Sequence, residues 1–292
     1  MAWQVFTTAV NQWFEHRSAR LGAALAYYSV FSMGPLLLIV TSVAGLFFGA
    51  EAVRSGLSSQ FNALLGQTGS KAIEAMLEGA SSKQSGHIAA LTGVVLLLVA
   101  ALGVVSQLKD AINTIWNVAE PKDISVSWYV RTYLVSFAGI LGLGFLLAVS
   151  LVISTALAAV SSQLSTGTTV IGVLLNTAAS LLLLSILFAM LFKWFPDTEV
   201  AWGDVMPGAI ATAVLFNLGK FAIGWYIGKQ GLESTYGAAS SIVVLLVWVY
   251  YSEQIVLFGA ELTHAYATKV GSQRKKGPEE TLSHSATVNR SH

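Results

Sequence analysis

Long apolar runs alternate with short polar connections along the chain. Six runs, 28–50, 88–108, 134–160, 170–192, 205–227 and 238–261, carry few charges. Each reaches the about 20 residues that an α-helix needs to cross a hydrocarbon core of ~30 Å. A lone helix satisfies its own backbone in lipid, whereas a barrel needs short segments of alternating polarity. These runs are continuous, so they predict transmembrane helices. Ahead of the first run, Trp3, Phe6, Val10, Trp13 and Phe14 recur at helical spacing beside Asn11, Gln12 and Glu15. This predicts an amphipathic helix over 1–20, lying in the interface with its tryptophans at headgroup level. The segment 51–87 carries two stripes, Val53, Leu57, Phe61 and Leu64, then Ile73, Met76, Leu77 and Ala80, with Gly66–Gly69 between them. It predicts an external hairpin of two short amphipathic helices covering the bundle. From 269 to 292 the chain is polar and basic, with Arg274-Lys275-Lys276 and no periodicity, and reads as a disordered tail whose triplet can touch anionic lipid.

Composition agrees. Hydrophobic residues make up 54% and charged residues 11%, whereas a soluble domain carries about 25% charged residues. Too little polar surface exists to coat a water-soluble fold. With the N-terminus inside, eleven Lys/Arg (Arg17, Arg20, Lys109, Lys122, Arg131, Lys193, Lys269, Arg274, Lys275, Lys276 and Arg290) are cytoplasmic. Four (Arg54, Lys71, Lys83 and Lys229) are external, and this bias puts both termini in the cytoplasm. No cleavable signal peptide and no transit peptide is expected. The expected fold class is therefore an all-α integral membrane protein with six transmembrane helices and interfacial amphipathic helices. Its membrane domain is 21–268, with no soluble domain. A net charge of +1 gives no field that would attract nucleic acid. The absence of cysteine removes disulfides, thiolate metal sites and thiol nucleophiles. His16, His87, His264, His284 and His292 lack metal-site spacing and read as surface or interfacial residues. No phosphate-binding glycine loop is present. Neither a metal nor a cofactor is expected.

Charges within spans are costly and mark candidate ion or substrate pathways. Glu253, flanked by Ser252 and Gln254, falls inside the last run, nearer its cytoplasmic side. Its short side chain cannot snorkel, which favours proton carriage, cation binding or a buried hydrogen bond over plain packing. Lys220 lies nearer the outer side of the fifth run, with Asn217 and Gly224 on its helical face. The two charges differ in depth by roughly 10 Å, so a direct pair is not expected, and Lys220 can snorkel outward. Lys109, Asp110 and Asn113 read as a wet helix end, and Glu261 and His264 as hydrated positions near the cytoplasmic edge. Gly45-x-x-x-Gly49, Gly224-x-x-x-Gly228 and the run Gly139, Gly142, Gly144 allow close helix approach. Pro35 and Pro207 permit kinks.

Several motifs resemble the YihY/BrkB family of bacterial inner-membrane proteins. They are Ala26-Tyr27-Tyr28-Ser29-Val30-Phe31-Ser32-Met33-Gly34-Pro35, Phe195-Pro196-Asp197 and Trp202-Gly203-Asp204-Val205-Met206-Pro207-Gly208-Ala209. The last run adds Tyr236-Gly237-Ala238, Trp248-Val249-Tyr250-Tyr251 and Leu257-Phe258-Gly259-Ala260-Glu261-Leu262. The resemblance spans roughly residues 17 to 266. It implies six helices with both termini inside and carries Tyr27, Tyr28, Phe31, Pro35, Pro207, Gly208, Tyr236, Gly237, Trp248 and Glu261 as motif positions. Glu253 is not among them. Members have been labelled ribonuclease BN, and others are linked to serum resistance or envelope lipid transport.

A nuclease needs clustered metal-binding carboxylates and histidines, or a histidine pair, facing a groove. Asp110, Glu120, Asp123, Asp197, Glu199 and Asp204 are isolated, and no basic groove with interleaved aromatics exists for RNA. The expectation is a non-enzymatic, multi-pass inner-membrane protein that translocates a lipid or other amphiphile. In this reading Asn217 and Lys220 meet an anionic headgroup and Glu253 couples to protons. A scaffold or partner subunit of an envelope complex is the alternative, and a tRNA-cleaving ribonuclease comes last. Expected partners are membrane lipid and either a second copy or an envelope protein, with no nucleic acid.

Overall fold

The computed structural model describes residues 1–81, 103–118, 169–229 and 239–274. All regular structure among them is helical. α1 is Ala2–Glu15, α2 Ser18–Phe48 and α3 Ala50–Ser81. α4 covers 103–115, and α5, α6 and α7 are Thr169–Trp194, Trp202–Lys229 and Ser240–Lys269. The third apolar run, most of the second, Tyr236, Lys275–Lys276 and the tail from 275 onward lie outside the described residues.

α2 begins well before the first apolar run, two residues after α1 ends, because Arg17 turns the chain with φ 53°. It continues through Pro35 for 31 residues, roughly 46 Å at helical rise. Gly49 ends it with φ 83°, a backbone conformation that glycine adopts without steric cost. The expected Gly45-x-x-x-Gly49 packing motif is therefore corrected: Gly49 is the turn into α3.

The external pair of short helices over 51–87 is also corrected. α3 is one helix of 32 residues that passes through Gly66–Gly69 unbroken. Each interior glycine costs roughly 1 kcal/mol relative to alanine, and no proline intervenes to remove a backbone donor. Packing offsets the cost: Ala72 and Ile73, with Leu57, Phe61 and Met76 beside them, join a core with Ala26, Val30 and Leu37 of α2 and Leu245 and Val249 of α7.

A second core joins Leu25 with Ile112, Ile115 and Trp116 of the α4 segment, Phe188 and Phe192 of α5, Val205 and Ala209 of α6, and Leu257 and Ala260 of α7. The start of α2, the end of α4, the α5–α6 turn and the last turns of α7 thus meet at one end of the bundle. α1 is helical as expected, but its docking face is Val5 and Ala9, which pack on Ala265 of α7. Trp3, Phe6 and Phe14 of the predicted stripe stay exposed.

α6 and α7 cross at glycine. A Cβ on Gly208 would overlap Thr263 Oγ1 and lie 3.0 Å from the Gly259 carbonyl oxygen. A Cβ on Gly259 would overlap Thr212 Oγ1 and lie 2.9 Å from Phe192. Each threonine turns its hydroxyl back on its own helix: Thr212 donates to Gly208 O at 2.6 Å and Thr263 to Gly259 O at 2.8 Å. Two Gly-x-x-x-Thr segments therefore interlock with their polar atoms satisfied, as close packing in lipid requires.

The surface is inverted relative to a soluble protein. Trp202, Met206, Ile210, Val214 and Leu218 form an exposed apolar line along α6, four residues apart. Ile242, Leu246 and Tyr250 continue the pattern on α7, and Leu182 and Ile186 on α5. Ser18, Thr212, Asn217, Glu261, Thr263 and His264 are buried. Contiguous apolar surface of this kind requires an apolar solvent.

Candidate functional site

The polar side chains of α7 that face inward meet the α1–α2 junction and the first half of α2, forming a seam. Deepest from the shared end, Ser29 Oγ of α2 donates to Glu253 Oε1 at 3.2 Å. Gln254 Nε2 donates to the Ala19 carbonyl at 3.4 Å. Gly22 makes room for it, since a Cβ there would overlap the Gln254 amide. Two turns further along α7, Glu261 is 0% exposed. Its Oε1 lies 2.9 Å from His16 Nδ1, within hydrogen-bond distance, and accepts a bond from Ser18 Oγ at 3.0 Å. One carboxylate oxygen thus ties both sides of the α1–α2 break to α7. His264, one turn on, is buried with its ring 5.1 Å from that of Trp116.

Helix α7 is continuous here because Leu, Ala, Gln and Glu suit a helix interior and neither proline nor a glycine pair interrupts it. Gln254, Leu257 and Glu261, spaced by three and four, share a face toward the start of α2. Glu261 and His264 are not open to bulk water at the edge of the bundle: Glu261 is closed in by His16 and Ser18 at the α1–α2 junction, and His264 lies against Trp116. Of the five histidines read as surface or interfacial, His264 is buried and His16 is partly buried against Glu261, while His87, His284 and His292 lie outside the described residues.

Of the other residues singled out from sequence, Asn217 is buried on α6 and donates to Ala213 O of its own helix at 3.0 Å. Lys220 belongs to α6, but its side chain lies outside the described residues, as does all of Tyr236. Tyr27 and Tyr28 are exposed on α2 and cluster with Phe31, with ring centroids 5.7 Å and 4.7 Å from Tyr27. Pro207 lies near the start of α6 and is exposed.

Asp110 is exposed on α4. Its neighbours form more than a wet helix end: Asn113 exchanges two hydrogen bonds with Asp197, Nδ2 to Oδ2 and backbone N to Oδ1, both 2.9 Å. Lys109 Nζ sits 2.8 Å from Asp197 Oδ1. The pair clamps the α5–α6 turn to α4. Asp204, by contrast buried, accepts the backbone N–H of Ser272 at 3.1 Å from each carboxylate oxygen and the Ser272 hydroxyl, closing the end of α7 onto the start of α6.

Sequence reasoning missed His16, Ser18 and Trp116. His16 and Ser18 lie 245 and 243 residues from Glu261, and no local pattern links them. A small-x-x-x-small search that admits threonine would have found the 208–212 and 259–263 crossing.

An apolar exterior around buried, hydrogen-bonded polar residues defines a helical membrane protein. Thr177–Trp194 and Ser240–Lys269 are long and apolar enough to cross a bilayer. The profile of the family described as virulence factor BrkB matches residues 9–283, and the chain belongs to that family. It is 28% identical over 245 residues to a UPF0761 membrane protein of Ralstonia nicotianae, covering 83% of this chain and 54% of the relative. It is 28% identical over 280 residues to another of Rhodospirillum centenum, covering 94% and 60%. A third, from Actinobacillus pleuropneumoniae, is 25% identical over 273 residues, covering 92% and 94%. The chain thus spans little more than half the length of the first two relatives and nearly all of the third. No solved structure matches it.

Proposed function

We propose that the chain is a non-enzymatic, multi-pass protein of the bacterial inner membrane that translocates a lipid or other amphiphile for the cell envelope. In this reading it has six transmembrane helices and both termini in the cytoplasm, and it works with membrane lipid and without cofactor or nucleic acid. Topology is supported by the basic residues Arg17, Arg20, Lys109, Lys193, Lys269 and Arg274. All belong to the segments that meet at one end of the bundle, and such a cluster marks the cytoplasmic side.

The observation that carries transport is the seam. Glu253 and Ser29 meet deep within helices whose outer faces are apolar, and polar contacts continue along α7 through Gln254 to Glu261. A line of polar groups reaching into an apolar body offers a headgroup part of a route while acyl chains stay in lipid, and an acid within it can take up a proton. Reconstitution tests this. Proteoliposomes with labelled phospholipid or an anionic glycolipid should lose inner-leaflet signal faster with wild-type protein, and Glu253→Gln should abolish the gain. Lys220→Met reports on the headgroup role of Lys220. No acceleration with any lipid, with or without a proton gradient, overturns the reading.

The alternative is a scaffold or partner subunit, built as a homo-oligomer or with an envelope protein. Complete burial of Glu261 favours it, because a carboxylate closed between two helices serves as a static tie. The ribonuclease reading has least support: Asp197 and Asp204, both at the polar end, are engaged in structural bonds.

A further inference from the structure

Five buried polar atoms have no partner among the described residues: Gln254 Oε1, whose Nε2 donates to Ala19, and, on the elements around the tie that holds Glu261, Glu261 Oε2, His264 Nδ1, Trp116 Nε1 and Gln12 Oε1. Three elements supply them. Glu261 and His264, three residues apart, share a face of α7. Trp116 follows α4, with its ring against His264. Gln12 stands one turn before His16 on α1. Glu261 is 0%, Trp116 6% and His264 7% exposed. So many unpaired buried groups at one place are costly, and native proteins satisfy such groups with protein or with ordered water.

The valences select the ligand. The indole Nε1 only donates, the amide oxygen and the carboxylate only accept, and the imidazole nitrogen does either. A cation would meet the indole N–H, and an anion would meet Glu261. A small molecule that both donates and accepts suits every member of the set. We propose that this end of the bundle is an internal hydration site, in which ordered water joins Glu261, His264, Trp116 and Gln12. Two to four polar partners per molecule is the usual complement of a buried water, and Glu261, His264 one turn on and Trp116 in ring contact with His264 are adjoining residues that can provide them. Water enters at the α1–α2 junction, where the His16 side chain is 13% exposed. Glu15, His16 and Arg17 are the titratable and charged neighbours on that side. The inference is independent of lipid transport, since it applies equally to a scaffold.

Radiolytic footprinting of the full chain in nanodiscs tests it, because radicals generated from bound water label adjacent side chains even when these are buried. Corrected for intrinsic ring reactivity, Trp116 should label several-fold faster than Phe192, which is 0% exposed in the neighbouring apolar core. Equal protection of the two rings overturns the proposal. His264→Phe, which keeps a ring but removes Nδ1, should lower the rate at Trp116 and leave Trp202 unchanged. An unchanged Trp116 rate in that folded variant traces the labelling to bulk solvent and also overturns the proposal. Should His264→Phe not fold, Gln12→Leu makes the same comparison.

Discussion

At the scale of single residues, the close crossing of α6 and α7 depends on two glycines and the two threonines that face them. Gly259→Ala places a methyl group against Thr212 and Phe192, and overpacking of this kind costs about 1–3 kcal/mol. Gly203→Ala is the control, because a Cβ there meets nothing within 4 Å. The expected outcome is a clear drop in detergent melting temperature for Gly259→Ala and little change for Gly203→Ala. The residue scale is also where the sequence misleads. Glu253 stands out because apolar residues surround it in the chain, whereas Glu261 sits where the apolar run ends. Burial runs in the opposite order: Glu261 is closed off and Glu253 is half-buried. Hydropathy measures neighbours along the chain, and what covers Glu261 is α1, far away in sequence.

Among the elements, α3 and α1 carry the instructive differences. A glycine pair between two apolar stripes predicts a break, yet α3 runs through because α2 and α7 supply a packing surface along it. α1 shows the reverse. Its large aromatic stripe is conspicuous, but the buried contact with α7 is made by Val5 and Ala9, with Phe6 set edge-on against Phe258 beside them. The tether between α6 and α7 gives a prediction at this scale. Asp204→Ala removes the carboxylate that accepts from the Ser272 amide and from its hydroxyl. Hydrogen exchange should then quicken over 270–274 with protection in the middle of α7 unchanged. Unaltered exchange at 270–274 would show that the tether does not hold the corner.

For the whole molecule, topology is the quantity to measure, and the chain suits it because it holds no cysteine. Single substitutions Gln4→Cys, Ser59→Cys and Arg274→Cys, all at exposed positions, can be probed with a membrane-impermeant maleimide. Intact inner-membrane vesicles of known orientation should show Gln4→Cys and Arg274→Cys labelling together from the cytoplasmic side, and Ser59→Cys only from the other. Labelling of Gln4→Cys and Arg274→Cys from opposite sides would overturn an even number of spans.

The amino-acid sequence by itself determined the solvent and the class of this protein. Apolar runs of spanning length, scarce charge and the lysine and arginine bias are local quantities, and a backbone in lipid must satisfy itself within each helix. They sufficed for an all-helical membrane protein, while the family was legible only through the resemblance carried by the motifs of the first, fifth and last runs. Tertiary structure alone decided which polar groups work together. His16 and Ser18 reach Glu261 across 245 and 243 residues, Asn113 reaches Asp197, and Asp204 reaches Ser272, because folding places helix ends side by side. Such pairs depend on which helices are neighbours and on how closely glycine lets them approach, and those are properties of the packed bundle.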